Sequence, residues 1–163
     1  MTWLVTGGAG YIGAHVARRL RASGRDVVVL DDLSSGHRAF VADDVRFVEG
    51  SVVDPAAVDE AITAAGAPVL GVVHLAGFKY AGVSVQRPLH TYTQNVTGMQ
   101  VLLDRLVAHG VSRLVFSSSA ATFGTPDVDL VTETTPTNPE SPYGESKLIG
   151  EWLIADVAKA RPG

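Results

Sequence analysis

Short apolar runs rich in β-branched residues alternate along this chain with segments of helical periodicity. The runs cover 3–6, 27–30, 45–48, 69–75 and 114–116, and the helical segments cover 11–21, 54–65, 91–108 and 141–159. Strands that alternate with helices predict βαβ crossovers and a parallel sheet. Because the strands are apolar along their length, helices should cover both faces of that sheet. Right-handed crossovers then favour a doubly wound α/β sheet of the Rossmann type with strand order 3-2-1-4-5, in one domain spanning 1–163.

The composition limits the class of protein to which the chain can belong. Apolar residues make up 46% and charged residues 18% of its 163 residues, which is typical of a chain that forms a core. A net charge of −4 gives a nucleic-acid partner no bulk electrostatic support. The absence of Cys excludes disulfides, thiolate metal ligands and a cysteine nucleophile. Without a membrane-length apolar run or a signal-peptide pattern, we expect a cytoplasmic protein with no metal, membrane or nucleic-acid partner.

Regularly spaced glycines occur in the turn between the first strand and the first helix and at the start of that helix. Gly7, Gly10 and Gly13 have the spacing G-x-x-G-x-x-G. A backbone without Cβ atoms can turn tightly and approach a ligand closely, and the N-terminus of the following helix attracts a phosphate. Gly13, inside the helix, would also let that helix pack closely on the sheet. Because structural glycines are common in turns, the triplet alone is equally compatible with an ordinary turn.

An acidic residue at the end of the second strand strengthens the prediction of a dinucleotide site. A carboxylate at Asp31 would accept hydrogen bonds from a ribose diol and repel a 2′-phosphate, which favours NAD over NADP. The alternative is that Asp31 and Asp32 form a turn or cap a helix. We expect Asp31 to bind the ribose and Asp32 to be the turn residue.

Tyr143 and Lys147 are four residues apart and therefore share one face of the last predicted helix. A tyrosine hydroxyl ordinarily titrates at about 10, and a nearby ammonium stabilises its anion, so such a pair can take a proton from a sugar or alcohol hydroxyl. With Ser141 as N-cap and Pro142 at the first helical position, Tyr143 would lie near the positive end of the helix dipole. Taken alone, the pair favours an ordinary surface helix, and only its combination with the dinucleotide unit favours a catalytic role.

Serines follow the fifth predicted strand, at the edge of the sheet where the glycine turn is also expected. Ser119 is the candidate to hold the substrate oxygen and share its proton with Tyr143, and Ser118 is expected to support it. A polar strand end is the alternative, and we keep that interpretation for Ser117.

Several separated segments together resemble a known family. They are V-T-G-G-A-G-Y-I-G at 5–13, V-L-D-D-L-S at 29–34, H-L-A-G-F-K at 74–79, S-V-Q-R-P-L at 84–89, N-V-T-G at 95–98, F-S-S-S-A-A-T-F-G at 116–124 and S-P-Y-G-E-S-K at 141–147. In this order they resemble the extended short-chain dehydrogenase/reductase superfamily, the NAD-dependent epimerases and dehydratases. The segments 76–79 and 84–88 are most similar to its UDP-glucose 4-epimerase (UDP-galactose 4-epimerase) branch.

The resemblance implies a tightly held NAD and a UDP-hexose substrate. Its pyrophosphate would lie along the glycine turn, with backbone contacts from Tyr11 and Ile12, and Asp31 would bind the adenosine ribose. The further cofactor contacts that the resemblance implies are Ala76, Gly77, Lys79, Asn95, Tyr143 and Lys147. Asn95 would lie near the nicotinamide half, and Lys147 would hold the nicotinamide ribose. Ser119, Tyr143 and Lys147 would be the catalytic set that interconverts UDP-glucose and UDP-galactose through a 4-keto sugar.

The chain also departs from the family pattern. Ser51 stands where an acidic residue usually meets the adenine amine, and Phe123 stands where a tyrosine is usual. Related sugar 4,6-dehydratases carry an Asp-Glu pair where this chain has Ala120-Ala121, so an elimination step lacks its acid and base. These residues favour an epimerase over a dehydratase.

The family pattern continues beyond the last helix of this chain. The resemblance therefore implies an N-terminal part of that pattern, without its C-terminal strands and substrate-binding region, and with Leu148, Trp152 and Val157 partly exposed. Two alternatives stay open: an NAD-binding module without turnover, and another NAD-dependent sugar epimerase or reductase. Relatives commonly dimerise through helices corresponding to 91–108 and 141–159, which implies that a homodimer can form.

Overall fold

The sheet of the computed structural model consists of five parallel strands in the order β3-β2-β1-β4-β5. The structure describes residues 1–161, and its strands are β1 (Thr2–Thr6), β2 (Asp26–Asp31), β3 (Arg46–Glu49), β4 (Val69–His74) and β5 (Leu114–Phe116). The central strand β1 pairs with β2 and β4, so that Val5 is in register with Val29 and Val73. The predicted doubly wound parallel sheet and its strand order are confirmed.

Helices connect the strands. Among residues 1–161 they are α1 (Tyr11–Ala22), α2 (Pro55–Thr63), α3 (Ala81–Gln86), α4 (Pro88–Tyr92), α5 (Gly98–Ala108) and α6 (Pro142–Ala160). Two 3₁₀ turns, Arg38–Phe40 and Ala120–Thr122, and a π-helical turn, Thr93–Thr97, accompany them. Within this described part of the chain, no helix combines the length and the apolar character that crossing a membrane requires.

Local signals in the sequence set the ends of the first helices. The backbone after α1 reverses at Gly24, whose φ of +77° favours glycine. α2 begins after Asp54, whose carboxylate accepts a hydrogen bond from the Ala56 amide at 2.9 Å, and Pro55 occupies its first position. Both ends agree with the sequence prediction.

The described chain divides into two compact units. The first unit contains Met1–Gly77 and Val101–Ser117, and it therefore holds the whole sheet. Two apolar clusters form its core, one containing Leu4 and Val72 and the other containing Val5 and Val29. These residues are 0% exposed and alternate along the strands, so the two clusters cover opposite faces of the sheet. The expectation that both faces are covered is confirmed.

The second unit contains Phe78–Gln100 and the described residues from Ser118 onward. The single helix predicted over 91–108 is wrong in detail, because α4 begins at Pro88 and the π-helical turn separates it from α5. Helix α3 was not predicted, since six residues are too few to show a helical stripe. Asn95 lies within the π-helical turn and is buried.

Exposure along α6 only partly matches the expectation. Leu148 is 7% exposed and is therefore buried, so its predicted partial exposure is wrong. Trp152 is 57% exposed and Val157 is half-buried, as expected. Leu148 follows directly on Lys147, which is also buried.

Candidate active site

The glycine turn after β1 is closed by contacts that leave no room for side chains. Gly7 has a φ of +70° and donates its amide to the Leu30 carbonyl at 2.8 Å. A Cβ on Gly7 would lie 2.6 Å from the Ala76 nitrogen, and a Cβ on Gly13 would lie 2.1 Å from the Gly7 carbonyl oxygen. Both obstacles are backbone atoms, so these two glycines are required by the close approach of β1, α1 and the turn after β4.

The N-terminus of α1 presents backbone groups and no capping side chain. Gly10 is its N-cap, and its amide donates to the Gly7 carbonyl at 3.2 Å. Tyr11 and Ile12 are 74% and 61% exposed, so their side chains face solvent and not the protein interior. The amides of a first helical turn have no partner within their own helix and can bind an anion.

The Asp31 carboxylate is joined to the glycine turn. Its two oxygens accept hydrogen bonds from the amides of Ala9 and Leu33, each at 2.9 Å, and the residue is 7% exposed. Asp32 instead accepts from the amide and hydroxyl of Ser34, so it is the turn residue that was predicted. Each carboxylate oxygen has a second lone pair, which keeps Asp31 capable of accepting from a ribose diol.

A buried polar pair, which the sequence analysis missed, lies beside the same turn. The Thr6 hydroxyl is 2.7 Å from Nδ1 of His74, and it accepts a long hydrogen bond of 3.4 Å from the Ala76 amide. Gly77 follows with a φ of 144°. A histidine that ends an otherwise apolar strand was the available signal, since a buried imidazole needs a partner.

Helix α6 begins as the sequence predicted. The Ser141 hydroxyl caps it by accepting from the Gly144 amide at 3.2 Å, and Pro142 is its first residue. Tyr143 therefore lies in the first turn. The Nζ atom of Lys147 is 5.9 Å from the centroid of the Tyr143 ring, so the structure brings this predicted pair together.

The environment of Lys147 changes its ionisation. The residue is 7% exposed, and burial lowers its pKa from 10.5 to about 8. A buried lysine with a pKa near neutrality can gain or lose its proton close to the pH of the cell. Such perturbation is frequent at functional sites.

Ser119 is positioned by the 3₁₀ turn that follows it. Its hydroxyl accepts from the Ala121 amide at 3.1 Å, which leaves its own proton to be donated elsewhere. A Cβ on Gly144 would lie 2.4 Å from the Ala121 carbonyl oxygen, so this turn packs directly against the first turn of α6. The structure thus brings the Ser119 segment to the residue next to Tyr143, and only a glycine at 144 permits it.

Asn95 is a structural link as well as a predicted cofactor ligand. Its Oδ1 accepts from the Phe78 amide at 2.7 Å, and its Nδ2 donates to the Phe78 carbonyl at 3.0 Å and to the Ser146 hydroxyl at 2.8 Å. Lys79, in contrast, is exposed, and its Nζ lies 5.7 Å from the centroid of the Tyr80 ring. The roles of Asn95 and Lys79 toward a cofactor stay predictions.

Further contacts to α6 come from residues that the sequence analysis did not single out or gave only a supporting role. The Ser84 hydroxyl, which is 0% exposed, accepts from the Tyr143 amide at 3.1 Å. Ser118 donates to the Glu151 carboxylate, and its supporting role toward Ser119 stays a prediction. Among residues 1–161, no His, Asp or Glu side chains are grouped as a metal site would require.

The chain is similar to known proteins in its sequence and in its fold. A family model described as "NAD dependent epimerase/dehydratase family" matches residues 3–163. UDP-glucose 4-epimerase of Corynebacterium glutamicum is 44% identical over 160 residues, and that of Lactobacillus helveticus is also 44% identical over 160 residues. Each alignment covers 98% of this chain but 47% and 48% of the respective relative, so the chain spans about half the length of the curated relatives it matches.

Solved structures give the same result for the fold. The UDP-glucose 4-epimerase from Brucella ovis in complex with NAD is 41% identical, with a TM-score of 0.92 over 98% of this chain and 48% of that one. The enzyme from Bifidobacterium longum in complex with NAD+ and UDP is 35% identical, with a TM-score of 0.93 over 99% of this chain and 50% of that one. The chain therefore belongs to the NAD dependent epimerase/dehydratase family.

Proposed function

We propose that this chain is the NAD-binding and catalytic part of a UDP-glucose 4-epimerase, which interconverts UDP-glucose and UDP-galactose. The observation that carries the proposal is the pair of Tyr143 and Lys147 in the first two turns of α6, with Nζ 5.9 Å from the ring centroid. The packing of the Ser119 segment against Gly144 supports it, because it adds a hydroxyl to the neighbourhood of the pair. The similarity to proteins named UDP-glucose 4-epimerase supports the reaction class.

The residues around the glycine turn fit the pyrophosphate and ribose of a dinucleotide. Gly7, Gly10 and Gly13 leave the first-turn amides of α1 without a capping side chain, and the backbone of Tyr11 and Ile12 belongs to that turn. Such amides, at the positive end of a helix dipole, are suited to a pyrophosphate.

Asp31 supplies the selection for NAD over NADP. Two backbone amides fix its carboxylate, so it cannot rotate away from a ribose placed beside the turn. A carboxylate accepts from both hydroxyls of the diol and repels a 2′-phosphate. We assign Ala76, Gly77 and Lys79 to the same cofactor, along its length, and Asn95 to its nicotinamide half.

When bound, NAD would supply the acceptor for a hydride from C4 of the sugar and the donor that returns it to the opposite face. Tyr143 takes the proton of the sugar 4-hydroxyl as that hydride leaves, which yields a 4-keto sugar, and gives the proton back when the hydride returns. Lys147 stabilises the Tyr143 phenolate and holds the nicotinamide ribose, and Ser119 donates a hydrogen bond to the sugar oxygen. Atoms and electrons balance over the cycle, because the proton and the hydride are both returned.

The residues after Ser119 distinguish this reaction from water elimination. Ala120 and Ala121 carry no acid or base, whereas removal of water from the sugar needs both. The proposal therefore keeps to epimerisation. The identity of the hexose belongs to the proposal as well, since the chain spans only half of its relatives.

A second candidate is an NAD-binding module that does not turn over by itself. A third candidate, another NAD-dependent sugar epimerase or reductase, uses the same residues.

We also propose that the chain works as one domain, in the cytoplasm and as a homodimer, which sedimentation and cell fractionation would test.

Calorimetric titration with NAD, followed by an assay for conversion of UDP-galactose, separates these candidates. The epimerase proposal predicts binding with turnover in the wild type and binding without turnover in Tyr143→Phe. Tyr80→Phe is the matched control, since it removes an exposed phenol hydroxyl elsewhere in the second unit. Binding without turnover in the wild type would favour the module, and the absence of binding would refute both.

A further inference from the structure

Glu145 and Ser146 lie between Tyr143 and Lys147 in the chain, and each is held by a side chain from outside α6. The Tyr92 hydroxyl donates to the Glu145 carboxylate, and Nδ2 of Asn95 donates to the Ser146 hydroxyl at 2.8 Å. Both donors come from α4 and the π-helical turn that continues it. The polypeptide just before α5 thus contacts α6 between its two proposed catalytic residues.

Helical geometry shows on which side of α6 each contact acts. Successive residues are about 100° apart around a helix, so Glu145 points about 160° away from both Tyr143 and Lys147. Tyr92 therefore contacts the side of α6 that is opposite the catalytic pair. Glu145 and Lys147 are two residues apart and do not face each other, so Glu145 does not compete for the lysine.

The Tyr92–Glu145 hydrogen bond is suited to persist over a wide pH range. The hydrogen bond to Glu145, together with burial, raises the pKa of Tyr92 from 10.0 to about 12. Tyr92 consequently stays a neutral donor throughout the range in which Lys147 titrates. Both side chains are half-buried, so a carboxylate deprived of the Tyr92 hydroxyl would have to move toward water to recover a partner.

We propose that Tyr92 is a positioning residue, which holds the far side of α6 through Glu145 and thereby keeps Lys147 buried beside Tyr143. Its role as a positioning residue rests on the proposed function, because that function gives Tyr143 and Lys147 their catalytic roles. The other titratable groups on α4 and its N-cap are Arg87 and His90, and those on α6 near Lys147 are Tyr143, Glu145 and Glu151.

Nuclear magnetic resonance of protein labelled with ¹³C in lysine tests this proposal directly. The chain has three lysines, at 79, 147 and 159, so the Lys147 signal can be assigned from its loss in Lys147→Arg. Tyr92→Phe should raise the pKa of Lys147 from about 8 by about one unit, a tenfold change in its acid dissociation constant, because water reaches the ammonium. An unchanged Lys147 titration in folded Tyr92→Phe would overturn the proposal.

A second variant breaks the same hydrogen bond from the other side. Glu145→Met should also raise the pKa of Lys147, although the loss of a negative charge by itself would lower it. The double variant Tyr92→Phe/Glu145→Met removes both polar groups. Its Lys147 pKa should return to about 8, because no polar group at either position then needs a water molecule as partner. A double variant that stays shifted would refute the coupling through Glu145.

Two controls separate positioning from general loss of stability. Tyr80→Phe removes another phenol hydroxyl of the second unit, and Leu106→Ala destabilises the core of the first unit. Neither should move the Lys147 titration, and a shift in either would contradict the proposal. The measurement needs neither NAD nor sugar, so a failure of the proposed function would leave its outcome unchanged.

Discussion

The two compact units of this chain bury different kinds of residue. Both apolar clusters belong to the first unit, and they are formed by strand and helix residues such as Leu4, Val58 and Leu102. The second unit buries mainly polar residues, and its buried apolar side chains are Met99 and Leu148. Its buried polar residues are Ser84, Thr91, Asn95, Thr122, Ser146 and Lys147. The first unit is therefore held together mainly by apolar burial, and the second depends strongly on hydrogen bonds.

The two parts of the proposed site are built in correspondingly different ways. The glycine turn is shaped by the backbone, because Gly7 and Gly13 meet main-chain atoms and the sheet fixes both sides of the turn. The Tyr143–Lys147 pair is positioned by side chains, since Ser84, Tyr92 and Asn95 each hold a group on α6. The first arrangement should respond to added volume, and the second to removal of single polar atoms.

The largest expected effect comes from a methyl group in the glycine turn. Gly13→Ala would place a Cβ 2.1 Å from the Gly7 carbonyl oxygen, and neither backbone can move without disturbing β1. We expect the free energy of unfolding to fall by about 4 kcal/mol or more, as measured by urea denaturation. Gly82→Ala is the matched control, because nothing lies within 4 Å of its Cβ position. Equal stabilities of the two variants would contradict a backbone-built turn.

The next effect tests the cost of burying Lys147. Its folded pKa of about 8 lies below its ordinary value of 10.5, so the unfolded chain binds more protons between these pH values and stability should rise with pH. Lys147→Met removes this dependence. The variant should be more stable than the wild type at pH 7, and its advantage should shrink by about 2.5 kcal/mol between pH 7 and pH 10.

Urea denaturation of both proteins at several pH values measures this difference. The range ends at pH 10 because the raised pKa of Tyr92 acts in the opposite direction above it, as the phenol ionises more readily in the unfolded chain. An advantage of Lys147→Met that does not change with pH would show that burial of the ammonium carries no cost.

A smaller effect is expected from Gly144→Ala, which adds volume to the unit that depends on side-chain contacts. Its Cβ would lie 2.4 Å from the Ala121 carbonyl oxygen, but the 3₁₀ turn that carries Ala121 can shift away from α6. We expect a loss of about 2 kcal/mol in the free energy of unfolding. Displacement of Ser119 should also lower kcat in the UDP-galactose assay about 100-fold with little change in NAD affinity. A loss of NAD affinity equal to the loss of kcat would contradict this separation.

The smallest effect compares one helix cap from each unit. Asp54→Ala removes the cap of α2, and Ser141→Ala removes the cap of α6. Each should lower the free energy of unfolding by about 1 kcal/mol. Only Ser141→Ala should also change the Lys147 titration, because α6 carries the pair. A change in that titration caused by Asp54→Ala would contradict the comparison.

Sequence patterns predicted the first unit better than the second. The β-branched runs identified all the strands of the sheet because a strand buried on both faces must be apolar along its length. The N-cap at Asp54 and the reversal at Gly24 were predicted because they depend on neighbouring residues alone. In the second unit, α3 and the π-helical turn were missed, since their conformations depend on contacts such as that of Asn95 with Ser146, 51 residues away.

The candidate site shows the same division. The spacing of Tyr143 and Lys147 was sufficient to place them together, because four residues make about one helical turn. Nothing in the local sequence indicated that Tyr92 would reach Glu145, that Ser84 would accept from Tyr143, or that Gly144 would meet Ala121. These contacts join segments far apart in the chain, and periodicity carries no information about such pairs.

By itself, the sequence determined the order of strands and helices, the glycine turn with Asp31, and the helix that carries Tyr143 and Lys147. Those features follow from backbone conformation and from the periodic burial of apolar residues, which act over a few neighbouring residues. The tertiary structure alone decided that Lys147 is buried and that Asp31 is fixed by two amides. Burial and hydrogen-bond partners are set by segments that meet only in the folded chain, and so they lie beyond what local patterns can specify.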